Sequence, residues 1–121
     1  MNKQILEKDI TKTIRKHLNS INIFHWKQWQ GLGSTKGTPD IVGVLPVSIK
    51  TLNRLGIKRV GLFLGIEVKT AKGKVTDHQT AFLNAIKAAG GLAIVARSVQ
   101  DIEHLKKMVE NERKYYWKVY K

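Results

Sequence analysis

Glu67 and Lys69 place an acid and a base two residues apart at the end of an apolar run that begins at Leu62. Side chains alternate between the two faces of a strand, so these two point to the same face. The carboxylate can hold a metal ion there while the ammonium stabilises charge on a reacting group. A surface ion pair on an edge strand has the same pattern and contributes little. The positions of the other acidic residues are needed to distinguish a catalytic pair from a surface ion pair.

Asp40 is the second acid that stands at the end of a predicted strand. It follows Pro39 and precedes the apolar run Ile41 to Leu45, and proline is tolerated at the first position of a strand. A turn aspartate is the common alternative. If the two predicted strands pair as an antiparallel hairpin, the start of the first lies beside the end of the second. Asp40 and Glu67 then converge, with Lys69 next to them.

Glu7 is the third candidate acid, in a helix predicted from Asn2 to about Ser20. Apolar residues recur there every three or four positions and indicate one buried stripe: Leu6, Ile10, Ile14, Leu18 and Ile21. At about 100° per residue, Glu7 falls inside this stripe, where a carboxylate is costly unless it is paired or binds a metal ion. The alternative is a first-turn glutamate that the helix dipole and solvent stabilise.

Gln79 closes a capping-box pattern, Thr76-Asp77-His78-Gln79, with Thr76 as the N-cap. The helix is predicted to stop at Gly90-Gly91. Capping is the simplest role of Gln79. A helix start beside the strand that ends at Glu67 would also direct this side chain toward a phosphate, and the two roles are compatible.

Charge is the most pronounced feature of the composition. The 121 residues include 22 Lys and Arg against 9 Asp and Glu, which gives a net charge of +13. This surplus favours a polyanionic partner, most often nucleic acid. An anionic membrane surface is the alternative, but the basic residues are spread along the chain rather than gathered on one amphipathic helix.

The remaining composition narrows the classes of protein and of site. The length suits one domain with a modest core, so residues 1–121 are expected to form a single domain. Absence of cysteine excludes disulfides, thiolate metal sites and a cysteine nucleophile. No apolar run can cross a bilayer, and the first residues lead into no secretory signal core, which favours the cytoplasm. Converging carboxylates without cysteine or paired histidines suit Mg²⁺ or Mn²⁺.

The predicted elements indicate an α/β domain with a central mixed β-sheet flanked by helices. Strands are expected at residues 23–29, 41–45, 62–70 and 92–97, with a glycine-rich loop at residues 30–38. The last helix begins at Ser98, and its predicted buried positions are Ile102, Leu105, Met108 and Val109.

Two basic segments each allow two interpretations. Residues 46–61 form an insertion, which is either a short helix from Ser48 to Leu55 or the arm of a long hairpin, and which is a candidate DNA contact or a solvated connection. Residues 110–121 form a basic aromatic tail that either contacts nucleic acid or packs as a last strand on the sheet or on a partner subunit. The alternation between Tyr115 and Tyr120 favours the strand.

The ordered motifs resemble a known nuclease family. Pro39-Asp40 followed by Glu67-Val68-Lys69 is similar to the core of the PD-(D/E)XK nucleases. Further matches narrow the resemblance to the VRR-NUC branch: Gly37-Thr38-Pro39-Asp40-Ile41-Val42-Gly43, Ile66-Glu67-Val68-Lys69-Thr70, Gln79 and Gly90-Gly91. Each motif is weak alone, but the ordered set, over roughly Glu7 to Leu105, is quite specific. The insertion and the tail are not part of the family pattern.

The resemblance implies a metal-dependent DNA endonuclease with a restriction-endonuclease-like core. Asp40 and Glu67 would be ligands of Mg²⁺ or Mn²⁺ together with the Val68 carbonyl. Glu7 matches the acidic residue of the family's first helix and would support the metal site.

The resemblance also implies roles outside the metal ligands. Lys69 would orient the attacking water or stabilise the pentavalent phosphate, and Gln79 would support the site. Small stand-alone members are similar to phage-encoded proteins, and the family includes dimeric enzymes that act on branched DNA. We therefore expect a homodimer, encoded by a bacterium or a phage, that cuts branched or four-way-junction DNA (Holliday junctions).

A non-catalytic basic protein that only binds nucleic acid is the second interpretation, and a structural protein of an RNA–protein particle is the third. The second predicts that Glu7, Asp40 and Glu67 are scattered over the surface. The third predicts an extended basic tail and no converging acids. The positions of Glu7 on an apolar stripe and of Glu67 at the end of an apolar strand disfavour the second interpretation. The tail is short and aromatic, which disfavours the third.

Overall fold

The computed structural model describes residues 5–48 and 54–120, which form three α-helices, four strands and a short 3-10 helix. Their order is α1 (Glu7–Ser20), β1 (Phe24–Lys27), β2 (Ile41–Ser48), β3 (Arg59–Val68), α2 (Asp77–Ala88), β4 (Leu92–Ala96), a short 3-10 helix (Val99–Ile102) and α3 (His104–Tyr120). The predicted order of elements is confirmed. Within these residues, no helix has the length and apolar character needed to cross a bilayer.

The described strands form one mixed sheet in the order β1-β2-β3-β4. The first three are antiparallel neighbours, whereas β3 and β4 run parallel. A parallel pair needs a crossover connection, which α2 supplies. The predicted hairpin of the second and third strands is confirmed, with Ile41 opposite Ile66. The predicted α/β fold with helices flanking a mixed sheet is likewise confirmed.

The main core lies on one face of the sheet, beneath α1 and α3. Ile14 and Leu18 of α1 and Leu105 of α3 are completely buried in one cluster with Leu64 of β3. Alternate residues of a strand point to opposite faces, so β2 and β3 supply this face with every second side chain. The apolar stripe predicted for the first helix is therefore confirmed at Ile14 and Leu18.

The opposite face is only half covered. Ile86 of α2 packs with Ala93 of β4, which covers the side of the sheet formed by β3 and β4. The rest of this face is uncovered, since Phe24 and Trp26 of β1 are 70% and 40% exposed and Phe63 in the first half of β3 is 43% exposed. The pairing register places these three aromatic side chains on the same face as α2. The structure therefore leaves an open aromatic surface beside α2.

Several predicted boundaries differ from the structure; the last helix, predicted from Ser98, is a 3-10 helix at Val99–Ile102 followed by α3 from His104. The first helix begins at Glu7 rather than at Asn2, because Leu6 is extended and acts as its N-cap; residues 2–4 lie outside the described residues. The insertion continues β2 and β3 as a hairpin arm, in which Ser48 lies opposite Arg59. The hairpin interpretation is confirmed for these residues. The short-helix alternative is wrong at Ser48, and residues 49–53 lie outside the described residues.

The prediction of a last strand in the tail is wrong, because α3 continues to Tyr120. Helical spacing places Glu112 and Tyr116 on one face, where both contact Arg59 of the hairpin arm. Arg59 Nε donates to Glu112 Oε1 at 2.8 Å, and its Cζ atom lies 3.7 Å from the centre of the Tyr116 ring. Met108, predicted to be buried, is 39% exposed since it lies at the edge of the core-facing stripe.

Candidate active site

Asp40 and Glu67 lie side by side at one end of the β2–β3 hairpin. Asp40 precedes Ile41, Glu67 follows Ile66, and these two neighbours face each other across the strands. Asp40 Oδ2 accepts a hydrogen bond from the Val68 backbone N–H at 2.7 Å, which fixes the aspartate against the end of β3. The structure therefore brings together the two acids that the predicted hairpin placed side by side.

Glu67 is a buried carboxylate with one unused oxygen. The residue is 2% exposed. Its Oε1 atom accepts from Gln79 Nε2 at 3.0 Å and lies 3.8 Å from Lys69 Nζ. Its Oε2 atom is buried and has no hydrogen-bond partner among the described residues. Burial of a carboxylate oxygen without a hydrogen-bond partner destabilises the fold, and it is expected where the carboxylate is a ligand for a cation.

The surroundings of Glu67 disfavour its charged form. Burial, followed by the negative charge of Asp40 and the hydrogen bond that a protonated Glu67 would donate to the Asp40 carboxyl, raises the pKa of Glu67 from 4.5 to about 8. The Lys69 ammonium opposes this rise in pKa, and the charge of Glu7 adds to it. Two neighbouring carboxylates that repel each other gain most from a shared cation, which would favour the ionised form of both.

Lys69 lies immediately after β3 and is 9% exposed. Its backbone N–H donates to the Ala96 carbonyl at 3.0 Å, which continues the pairing with β4. The turn that follows is held by Arg97, whose Nη1 donates to the carbonyls of Thr70 at 2.6 Å and Gly73 at 2.7 Å. The ammonium thus projects from a rigid strand end, and Arg97 is a supporting residue that the sequence did not reveal.

Gln79 combines two roles at the start of α2. Its backbone N–H donates to Thr76 Oγ1 at 3.1 Å, and its Oε1 accepts from the Thr76 N–H at 2.9 Å. The predicted capping box is therefore confirmed. The remaining side-chain nitrogen donates to Glu67, so the amide connects the helix start to the carboxylate. One end of the amide caps the helix while the other end orients Glu67.

Gln30 is a second supporting residue that sequence reasoning missed. Its Nε2 donates to Asp40 Oδ1 at 3.0 Å and to the Thr38 carbonyl at 3.0 Å. The Gln28 N–H donates to the Asp40 carbonyl at 2.8 Å and so extends the pairing of β1 with β2. Finding Gln30 would have required this strand register, since a glutamine in a glycine-rich loop carries no signal of its own.

Glu7 is not buried among the apolar residues of α1, so of the two predicted alternatives the structure has the first-turn glutamate. Its side chain is exposed, because it is the first residue of α1 and the helix does not extend around it. Its negative charge is nevertheless the smallest of the causes that raise the pKa of Glu67. Within residues 5–48 and 54–120, no three His, Cys, Asp or Glu side chains form a metal-binding group. Of the two acids that raise the pKa of Glu67, Asp40 has the larger effect and Glu7 the smaller.

Comparison with known proteins agrees with this architecture. The sequence profile of the VRR-NUC domain matches residues 2–100. A solved structure described as a VRR_NUC domain protein is similar over 93% of this chain and 92% of its own, with a TM-score of 0.63 and 13% sequence identity. At that identity the likeness shows a shared fold. No curated protein matches the chain.

Proposed function

The chain belongs to the VRR-NUC domain family, a family of nucleases, and we propose that it is a metal-dependent endonuclease that hydrolyses phosphodiester bonds in DNA. The observation that carries the proposal is the buried Glu67, which lies beside Asp40 and has one oxygen without a hydrogen-bond partner in the described part of the chain. A protein that only binds nucleic acid has no use for two adjacent, mutually repelling carboxylates inside its fold.

Asp40 and Glu67, with the Val68 carbonyl, are the proposed ligands of Mg²⁺ or Mn²⁺. These are hard oxygen donors, which such cations prefer. The exposed carboxylate of Glu7 adds negative charge that acts on Glu67. When bound, the cation supplies charge neutralisation at the phosphate and lowers the pKa of a water molecule.

Lys69 is the proposed source of fixed positive charge at the phosphate. Its side chain is largely buried and its backbone is anchored to β4, so little reorganisation is needed as negative charge develops. Gln79 and Gln30 each hold one oxygen of a carboxylate in place. Partners of this kind orient metal ligands and contribute to metal affinity. Gln79 supports the reaction through Glu67 rather than by direct contact with the phosphate.

The net charge of +13 suits binding of the DNA backbone without readout of base sequence. We propose that the enzyme instead selects DNA by its structure, such as a branch or a four-way junction. A homodimer would present two sites related by a two-fold axis and cut two strands symmetrically. Sedimentation of the protein alone and with a junction tests the dimer, and a monomer in both samples would contradict it.

The deciding experiment measures cleavage of end-labelled linear duplex, flap and four-way-junction DNA with Mg²⁺, Mn²⁺ or EDTA. Glu67→Gln keeps the shape of the side chain and removes its charge. Glu110→Gln is the matched control, because Glu110 is exposed on α3. We expect metal-dependent cleavage that Glu67→Gln abolishes and Glu110→Gln retains. Cleavage by Glu67→Gln at the wild-type rate would refute the site, and tight binding without cleavage under any metal would favour the binding protein.

A further inference from the structure

A pocket lined by aromatic side chains opens on the uncovered half of the sheet. Its volume is about 440 Å³, and its aromatic walls are Trp26, Trp29, Phe63 and Phe82. Hydroxyl-bearing residues of the loop before β2, Thr35 among them, complete the lining. We call this cavity the aromatic pocket. The combination of flat apolar walls with polar groups at one side is typical of sites for small planar ligands.

The aromatic pocket adjoins the candidate active site. Pro39 lines the pocket and directly precedes Asp40. A second cavity of about 500 Å³ lies against Asp40, and it shares Gln28 and Trp29 with the aromatic pocket. Trp29 therefore forms a common wall between the two cavities. A group bound in the aromatic pocket is therefore adjacent to a group bound in the cavity at Asp40.

The loop that carries Trp29 is held in position. Gly37 has a φ of +83°, and a Cβ atom there would lie 3.0 Å from the backbone nitrogen of Gln79, so this loop packs against the start of α2. A Cβ on Gly31 would lie 2.9 Å from Cε2 of Trp29, which shows that the indole ring rests on the glycine. Trp29 is 63% exposed despite these contacts. The ring is thus supported from beneath and open to a ligand.

We propose that the aromatic pocket binds an unstacked nucleobase of the DNA strand whose phosphodiester lies at Asp40 and Glu67. Every base has a π-face that stacks on an aromatic side chain, and its polar edges suit the hydroxyl groups of the loop. The net charge of +13 attracts a polyanion to the protein as a whole, and the site next to the pocket would receive the phosphate of the same strand. A base paired within duplex DNA cannot enter, because it must first leave the stack.

This inference rests on the proposed function and gives it a physical basis for selectivity. DNA with an unpaired base next to the cleaved bond can bind the aromatic pocket and the site at Asp40 and Glu67 at the same time. Intact duplex meets the phosphate site alone unless it is locally opened. The pocket would therefore discriminate branches, flaps and loops from duplex.

The test is a binding cycle in EDTA, so that it does not depend on cleavage. Fluorescence anisotropy measures the Kd of the protein for a flap substrate, with an abasic residue placed at successive positions around the branch point. The variants are Trp29→Ala, Trp29→Phe and Gly31→Ala, which displaces the indole without removing it. Leu32→Ala is the matched control, because Leu32 is in the same loop, is 99% exposed and does not line the pocket.

We expect Trp29→Ala and Gly31→Ala to weaken binding of the flap about 10- to 100-fold, and to leave binding of a linear duplex of equal length within about 2-fold. Trp29→Phe should retain most of the affinity. An abasic residue at one position of the flap should weaken its binding to the wild-type protein by a similar factor. The same abasic residue should not weaken binding to Trp29→Ala any further.

Several results would overturn the inference. These are equal losses on flap and duplex, no abasic position that is coupled to Trp29, or an effect of Leu32→Ala as large as that of Trp29→Ala. A change in the sedimentation of the free protein on Trp29→Ala would assign the pocket to a second copy of the chain instead. Coupled binding without cleavage in any metal would support the pocket and refute the nuclease, so the two proposals fail separately.

Discussion

Gln79 donates a hydrogen bond to Glu67 across 3.0 Å while its carbonyl oxygen caps α2. One side chain therefore couples the position of a helix start to the orientation of a buried carboxylate. The geometry depends on both elements, because the helix start must lie beside the end of β3 for the amide to reach both partners.

Gln79→Ala removes the cap acceptor and the partner of Glu67 together. We expect the free energy of unfolding to fall by about 1–2 kcal/mol and the cleavage rate to fall by about 10-fold or more. Thr76→Ala removes only the cap hydroxyl and should share the loss of stability without the loss of rate. Urea denaturation and single-turnover cleavage measure the two effects. Equal rate losses in both variants would assign Gln79 a purely structural role.

Lys69→Met removes the ammonium and keeps most of the buried side-chain volume. Because charge that develops at the phosphate loses its fixed counter-charge, we expect the cleavage rate to fall by about 10²- to 10³-fold. Lys72→Met is the control, since Lys72 is exposed three residues further along. Single-turnover rates at saturating protein separate this loss from weaker DNA binding. A rate within about 2-fold of the wild type would exclude Lys69 from the reaction.

Gln30→Ala frees Asp40 Oδ1 from its only side-chain donor among the described residues. A carboxylate that is less well oriented binds a cation more weakly, so we expect the Mg²⁺ concentration for half-maximal cleavage to rise by about 10-fold or more. Gln100→Ala is the comparison, since Gln100 is exposed in the short 3-10 helix. Cleavage rates measured over a range of Mg²⁺ concentrations give the half-maximal concentration for each variant. An unchanged titration curve would show that the Val68 N–H orients Asp40 sufficiently.

Stability should depend on pH through Glu67 when divalent cations are absent. Its pKa is raised to about 8, so between pH 4.5 and about 8 the folded protein binds this proton more tightly than the unfolded chain does. This contribution to the free energy of unfolding therefore falls as pH rises through that interval and is constant outside it. Glu67→Gln cannot titrate and should lack the slope.

Urea denaturation of the wild type and of Glu67→Gln in EDTA, at several pH values, measures this difference. We expect the variant to gain stability relative to the wild type as pH rises. Addition of Mg²⁺ at high pH should raise the free energy of unfolding of the wild type again, because cation binding favours the ionised carboxylate. The free energy of unfolding of the variant should not change. A constant difference across pH would contradict the raised pKa.

The parts of the candidate site that depend on short sequence patterns could be predicted from the sequence. The capping box that includes Gln79 depends on spacing within one turn of helix, and the capping geometry follows it. The proximity of Asp40 and Glu67 needed only one further step, the antiparallel pairing of two apolar strands. Alternation of side chains then placed Lys69 beside Glu67.

Tertiary structure alone decided the rest. Helical periodicity put Glu7 on a stripe, but the helix starts at that residue, so nothing encloses its side chain. The tail alternated like a strand, yet the contacts of Arg59 with α3 favour a helix. Gln30 and Trp29 reach the site through the register of β1 with β2 and through the packing of a glycine-rich loop. The sequence by itself determined the chemistry of the acids, whereas long-range packing decided which neutral side chains surround them, because such contacts leave no periodic signal.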